Sequence, residues 1–144
     1  MNTNDWPHLP NGAQAPRVEL EEMNAVHAEE LALLQRLVEA LRAGDRDRAG
    51  PLAEQWLAHT EAHFDNEKRL MAESGFPPMP VHVAEHEQVL QQMRSRLAEF
   101  TRSRSTEVLL QWLEEVWSPW FLQHVNSMDR VTARFVRQYR EGST

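Results

Sequence analysis

The stretch HFDNEKRLM at residues 63–71 places two metal-binding side chain types in the apolar register of a helix. The core-register residues of this segment, spaced by three or four positions, are Leu52, Trp56, His59, His63, Glu67 and Leu70. Such spacing marks one face of an amphipathic helix. Because His63 and Glu67 are four residues apart, their side chains align on that face. A buried imidazole or carboxylate is costly unless it is paired or bound to metal, so the segment predicts a helix with a polar function in the core.

Three other segments show the same helical spacing, and short clusters rich in Gly, Pro, Ser and Asp separate the four. Their core-register residues are Leu20, Met23, His27, Leu31, Leu34, Val38 and Leu41 in the first segment; Met79, His82, His86, Val89 or Leu90, Met93, Leu97 and Phe100 in the third; and Leu109, Trp112 or Leu113, Val116, Trp120, His124, Met128, Val131 and Phe135 in the fourth. Short connections force neighbouring helices antiparallel. We therefore expect an all-α fold, an up-down-up-down antiparallel four-helix bundle.

The domain boundaries follow from where the helical pattern begins. Residues 1–17 contain three prolines among polar side chains and predict an extended N-terminal arm, whereas residues 18–144 form the bundle domain. Two details stay open in the sequence. The second helix begins either after a capping Asp45 or at Gly50–Pro51. Pro119 should bend or split the fourth helix, with a kink near Trp117 to Pro119.

Composition restricts the function classes. The 144 residues include 41% hydrophobic residues, enough for the core of one domain. There are no cysteines, so any metal would be held by nitrogen and oxygen. The net charge of -7 argues against a nucleic-acid partner. Neither a secretory signal nor a membrane span is visible, which predicts a soluble, cytoplasmic protein; no protein partner can be identified.

Five histidines and two acids occupy or adjoin the core register of the four helices. They are His27, His63, Glu67, His82, His86, His124 and Asp129. Height along the bundle can be compared by counting residues from each turn. His27 and His63 lie about eighteen residues on either side of the turn near Asp45, hence at one level, and the other turns agree to within about one helical turn. The seven side chains should therefore converge on one layer.

The number of these side chains suggests more than one metal ion. A single tetrahedral zinc takes about four protein ligands, fewer than the seven present. Suppose instead that two irons share both carboxylates and one bridging oxygen. His82, His86 and His124 then complete one octahedral iron, while His27 and His63 leave one of about six positions vacant on the other. A small molecule would bind at that vacancy.

One spacing does not suit an ideal helix. His124 and Asp129 are five residues apart, which turns their side chains about 140° from each other at 100° per residue. The pair needs a long reach across the site, a local distortion of the helix, or a second ion for Asp129.

The seven positions resemble the hemerythrin family, in particular the single-domain bacteriohemerythrins. The matching motifs are a lone His27, HFDNE at 63–67, HVAEH at 82–86 and WFLQHVNSMD at 120–129. The resemblance implies an oxo- or hydroxo-bridged di-iron centre without haem, with Glu67 and Asp129 as bridges. It further implies that dioxygen binds reversibly at the iron held by two histidines, for storage, delivery or sensing.

Departures from the family pattern concern the surroundings of the ligands. An acidic residue and a glutamine usually precede the first-helix ligand, where this chain has Asn24 and Val26, which predicts the loss of a partner for an imidazole. His59 replaces a usual aromatic residue one turn before His63. We expect the residues next to the ligands or around a ligand pocket to be His59, Trp117, Trp120 and Phe121.

Other functions remain as alternatives to a binding protein for dioxygen. A di-iron oxidase or peroxidase would be an enzyme, but carboxylate-rich oxidase bundles carry Glu-x-x-His on two helices, and no histidine here has Glu three residues before it. Nitric oxide could occupy the same vacancy. Metal storage or a structural zinc site fits the excess of ligands less well. The expected activity is binding rather than catalysis.

Overall fold

The computed structural model describes residues 16–142, which form four helical rods. The first three are α1 (Glu21–Arg42), α2 (Arg46–Ser74) and α3 (Met79–Ser103). The fourth rod, residues 106–142, consists of α4 (Thr106–Trp112), a π-helical turn π1 (Leu113–Trp117), α5 (Ser118–His124), a second π-helical turn π2 (Val125–Asp129) and α6 (Arg130–Gly142). The described part of the chain contains no strand, so the all-α prediction is confirmed.

Successive rods run in opposite directions because the connections between them are short. Gly75, with φ of 69°, turns the chain after α2, and Arg104, with φ of 61°, turns it after α3. At one end of the bundle, Nε of Arg46 donates to the carbonyl oxygen of Arg104 at 2.7 Å. At the other end, Arg140 of the fourth rod pairs with Glu22 of α1. These end-to-end contacts agree with the predicted up-down-up-down bundle.

The helix boundaries decide one point that the sequence left open. Asp45 caps α2, since its Oδ1 accepts from the backbone N–H of Arg48 at 3.1 Å, and the helix begins at Arg46. Pro51 therefore lies inside the helix, within its second turn. The alternative start at Gly50–Pro51 is wrong.

The start of α1 is held by a side chain that reaches backwards along the chain. Oδ1 of Asn24 accepts from the backbone N–H of Val18 at 2.8 Å, and Nδ2 of Asn24 donates to the carbonyl oxygen of Val18 at 2.9 Å. This pair of bonds ties the segment before α1 to its first turn. Residues 1–15 of the predicted arm lie outside the described residues.

Two apolar clusters divide the interior of the bundle. The larger packs around fully buried residues such as Leu34, Trp56, Met93 and Leu113. The smaller, at the opposite end, contains Leu20, Met23, Leu70, Ala133 and Val136. The histidines and acids singled out above occupy the layer between them, so apolar packing shields that layer from water on both sides.

The fourth rod departs from a regular α-helix at both π-helical turns. The Oγ of buried Ser118 donates to the carbonyl oxygen of Leu113 at 2.8 Å, immediately before Pro119. The disturbance that Pro119 predicts is thus a widened turn just upstream of it. The second widened turn, π2, begins directly after His124 and ends at Asp129.

Membrane insertion can be judged from the same rods. Within residues 16–142, no helix combines the length and the apolar character that crossing a bilayer requires.

Candidate metal centre

All seven predicted ligand residues are buried, and the structure brings them together in two groups. One group contains Glu67, His82, His86, His124 and Asp129, and the other contains His27, His63 and Glu67. Within each group, one nitrogen or carboxylate oxygen per residue lies within 4.8 Å of all the others. Glu67 belongs to both, so it occupies the boundary between a three-histidine side and a two-histidine side.

Glu67 directs one carboxylate oxygen to each side. Its Oε2 lies 2.5 Å from Nε2 of His63. Its Oε1 lies 3.4 Å from Nε2 of His82 and 3.5 Å from Nε2 of His86. The carboxylate therefore spans the two groups, as a carboxylate shared between two cations would.

Asp129 has the same relation to the two sides. Its Oδ2 lies 3.0 Å from Nε2 of His27. Its Oδ1 lies 3.2 Å from Nε2 of His82 and 3.0 Å from Nε2 of His124. Asp129 can face His124 because π2 inserts the extra residue between them, which resolves their five-residue spacing as a local distortion of the helix.

Several of these polar atoms lack ordinary hydrogen bonds despite their burial. Among the described residues, no hydrogen-bond partner exists for Nε2 of His27 and His82, Oε1 of Glu67 or Oδ1 of Asp129. Leaving such an atom unsatisfied costs about 1–3 kcal/mol in a protein interior. Four of them converging on one layer fit a site for cations, and a donor set of nitrogen and carboxylate oxygen suits iron.

The opposite ring nitrogens of three histidines have partners that orient the rings. Nδ1 of His63 lies 3.2 Å from Oε1 of Glu30, and Nδ1 of His124 lies 2.9 Å from Oε1 of Glu85. Nδ1 of His82 lies 2.8 Å from Oγ1 of Thr132. Since a carboxylate only accepts, His63 and His124 donate through Nδ1 and keep Nε2 free for a metal.

The first-helix histidine lacks such a partner. No hydrogen-bond partner for Nδ1 of His27 exists among the described residues. The sequence departure at Asn24 and Val26 predicted this loss, and Asn24 instead bonds the backbone of Val18. His27 is oriented by packing, because the ring of Phe121 meets it edge to face at 5.7 Å between centroids.

Electrostatics keep the acids of the layer ionised. Burial raises the pKa of Glu67, but the imidazoles of His63 and His82 outweigh burial and lower it to about 2. Burial likewise raises the pKa of Asp129, while His124, His27 and His82 hold it well below its usual range. The two carboxylates therefore carry the negative charge that cations need.

The histidines of the three-histidine side differ in their protonation. Burial lowers the pKa of His82, but Asp129 and Glu67 outweigh it and raise the pKa to about 9. Burial dominates at His86, and its pKa falls to about 3. His86 is thus a neutral imidazole at neutral pH, with a lone pair ready for a metal.

His59 lies beyond the two groups. Its Nε2 lies 3.3 Å from Oε2 of the exposed Glu29, and its Nδ1 lies 3.9 Å from Oε1 of Glu30. His59 therefore faces a partner of His63 rather than the converging ligand atoms.

The three aromatic residues predicted around the site line the fourth-rod side of it. Trp120 stacks on His124, with ring centroids 4.7 Å apart and 17° between planes. Trp117 stacks on Phe121 at 4.9 Å and meets Trp56 edge to face at 5.3 Å. These rings cover both the His124 and the His27 sides of the layer.

The sequence analysis missed Glu30, Glu85 and Thr132, the three partners of the candidate ligand imidazoles. Glu30 is the clearest omission because it is 1% exposed. Its position three residues after His27 places it on the same helical face, and that spacing was the available signal.

Comparison with known proteins agrees with this arrangement. Residues 18–136 match the family described as "Hemerythrin HHE cation binding domain". A bacteriohemerythrin of Aquifex aeolicus is 32% identical over 112 residues, which are 78% of this chain and 86% of that protein. A bacteriohemerythrin of Ralstonia nicotianae is 32% identical over 118 residues, 80% of each chain. No solved structure matches the chain significantly.

Proposed function

Because the chain belongs to the hemerythrin family, we propose that it binds dioxygen reversibly at a pair of iron ions held in the buried layer. The observation that carries the proposal is the division of the layer into two groups with Glu67 in both. One cation would occupy each group. The chain would act as a binding protein for storage, delivery or sensing, in the cytoplasm, rather than as an enzyme.

The seven ligand residues would divide between the two irons according to the distances above. His82, His86 and His124 would hold one iron, and His27 and His63 the other. Glu67 and Asp129 would reach both, since each has an oxygen on either side. With a bridging oxygen atom, this count leaves one of about six positions unfilled on the two-histidine iron.

When bound, the iron pair would supply reversible electron donation to dioxygen. The chain supplies the surroundings that keep the exchange reversible. Phe121 is 2% exposed and packs against His27, so the two-histidine side is walled by an aromatic ring rather than by water. The Glu30 carboxylate accepts from Nδ1 of His63 and fixes the orientation of that ring.

The orientation of His63 also depends on a polar neighbourhood around Glu30. Oγ1 of Thr60 lies 3.2 Å from Oε1 of Glu30 and 2.9 Å from the carbonyl oxygen of Trp56. A hydroxyl has one hydrogen, so it donates to one of these acceptors at a time. Burial raises the pKa of Glu30, but His59 and His63 outweigh burial and lower it to about 2, so Glu30 stays ionised and can accept from His63.

The distribution of acids argues for binding over oxidation. Carboxylate-rich oxidase bundles use a Glu-x-x-His motif on two helices, and this chain has no histidine with Glu three residues before it. Histidine supplies five of the seven proposed ligands. Nitric oxide would fit the same open position, and the experiment below distinguishes it from dioxygen.

Purified protein tests the proposal directly. We expect about two irons per chain and a visible absorption band that appears in air, disappears under argon and returns on re-aeration. Zinc-loaded protein is the control, because zinc has no redox chemistry and should give no band. Steady consumption of dioxygen with added reductant would favour an oxidase. Irreversible loss of the band in air, with stable binding of nitric oxide, would favour nitric oxide as the ligand.

A further inference from the structure

Trp120 connects the buried layer to the protein surface. Its indole stacks on the ring of His124 with 17° between planes, so the two π systems are in face-to-face contact. The indole is only half-buried, whereas the His124 side chain is 2% exposed. One aromatic side chain therefore touches both a proposed iron ligand and solvent.

The other described indoles do not combine these two contacts. Trp56 is fully buried, Trp117 is 1% exposed and Trp112 is 6% exposed. Trp117 reaches the layer through Phe121, on which it stacks at 4.9 Å, and its ring centroid lies 6.4 Å from that of Trp120. Trp120 is thus the outermost member of a connected set of rings.

A small cavity brings solvent to this set. Its volume is about 140 Å³. Trp112, Trp117 and Trp120 line it together with the exposed Gln88 and Gln92. A molecule the size of water or hydrogen peroxide can therefore reach the indole of Trp120.

From these contacts we infer that Trp120 is a site of oxidative modification, oxidised in preference to Trp56, Trp112 and Trp117 when the iron-loaded protein meets hydrogen peroxide. The inference rests on the proposed function, since it requires iron next to His124. Indole is among the most easily oxidised side chains. Contact with His124 lets electrons leave the ring toward the layer, and exposure lets water or peroxide attack the electron-poor ring.

The reaction balances without any further reagent. The indole loses two electrons and gains one oxygen atom, and hydrogen peroxide accepts the two electrons. One equivalent of hydrogen peroxide thus yields one oxygenated tryptophan and one water. Trp120 would in this way divert oxidising equivalents from the ligand histidines.

Peptide mass spectrometry of the full chain tests this inference. Iron-loaded and zinc-loaded protein receive the same small excess of hydrogen peroxide, and the yield of single-oxygen addition is measured at each tryptophan. We expect Trp120 to be oxidised several-fold more in the iron form than in the zinc form, and several-fold more than Trp112 and Trp117. Met128 reacts with peroxide directly, so equal oxidation of Met128 shows that both samples received the same dose of hydrogen peroxide.

Two variants sharpen the result. Trp120→Phe keeps a ring against His124 but removes the indole, so oxidation of tryptophan in the iron form should fall to the level of the zinc form, while oxidation of His124 rises. Trp112→Phe, in the same cavity, should leave oxidation of Trp120 unchanged. Iron content and helical circular dichroism establish that each variant is folded and loaded.

The outcomes separate the two proposals. Full iron loading with equal oxidation of Trp120 in the iron and zinc forms would overturn the inference and leave the proposed function intact. Preferential oxidation of Trp112 or Trp117 in the loaded protein would also overturn it. Failure of the wild type to hold iron would overturn the proposed function, and the inference with it.

Discussion

Nδ1 of His63 lies 3.2 Å from Oε1 of Glu30, a carboxylate that is 1% exposed and comes three residues after His27. The contact links α1 to α2 at the level of the candidate metal centre. The orientation of a proposed ligand thus depends on a residue that does not itself converge on the metal.

Glu30→Gln should weaken iron binding without unfolding the bundle. The Glu30 carboxylate fixes the orientation of the His63 ring and raises the basicity of its Nε2, and the variant loses both effects. Removal of such an outer partner typically weakens metal affinity by about 10–100-fold. Competition with a coloured iron chelator measures the change. Glu29→Gln is the matched control because Glu29 is adjacent and exposed. The iron affinity of this variant should stay within about twofold of the wild-type affinity. Equal affinities for the two variants would show that Glu30 does not orient a ligand.

His82→Ala should lose stable iron loading. Its Nε2 lies between Oε1 of Glu67 and Oδ1 of Asp129, so removal leaves two buried carboxylates with one imidazole fewer. Elemental analysis after gel filtration measures the iron that remains.

His59→Ala is the comparison histidine for this experiment. Because His59 faces Glu29 and Glu30 rather than the ligand atoms, the variant should retain wild-type iron. Loss of iron in His59→Ala to the same extent as in His82→Ala would contradict the assignment of the ligand set.

Ser118→Ala should destabilise the fourth rod. The buried hydroxyl donates to the carbonyl oxygen of Leu113 within the π-helical turn, and a hydrogen bond of this kind contributes about 1 kcal/mol to the free energy of unfolding. Urea unfolding of metal-free protein measures the loss. Ser127→Ala is the control, since Ser127 makes the same type of bond to Gln123 but is exposed. A larger loss in Ser127→Ala would refute this account of π1.

The contribution of Glu19 to stability should depend on pH. A hydrogen bond from Arg134 lowers the pKa of Glu19 in the folded chain below its ordinary value of 4.5. A lowered folded pKa means that the stabilisation is present above pH 4.5 and is lost as the pH falls through the folded pKa. Glu19→Gln should therefore be slightly less stable than wild type at about pH 7 and equally stable at about pH 2.

Urea midpoints of metal-free protein at both pH values measure this difference. Glu54→Gln, an exposed substitution on α2, controls for the general effect of removing a negative charge. A deficit of Glu19→Gln that persists unchanged at the acidic pH would show that the ion pair with Arg134 is not its cause.

The fold was predictable because helical hydrophobic spacing and short turns are compatible with few architectures other than an antiparallel bundle. Four segments with helical spacing, joined by clusters of Gly, Pro and Ser, imply antiparallel rods, and the structure has them. The start of α2 was not decidable from sequence, because both a capping Asp45 and a proline at 51 are ordinary helix beginnings. The hydrogen bond from Arg48 to Asp45 decides it.

The convergence of the candidate site was also predictable, since counting residues from each turn places the histidines at one level. The hydrogen-bond partners of the candidate ligand imidazoles could not be predicted from the sequence. Glu30, Glu85 and Thr132 look like ordinary polar residues of helices, and only the rotation of each rod decides that they face the layer. The form of the distortion at π2 likewise depends on backbone geometry that a five-residue spacing suggests but does not specify.

Anomalous diffraction at the iron edge from crystals of the iron-loaded protein tests the central claim most directly. The account predicts two iron peaks in each chain, one among His27, His63 and Glu67 and the other among His82, His86 and His124, with Asp129 in reach of both. A single peak, or two peaks that do not share Glu67, would contradict it.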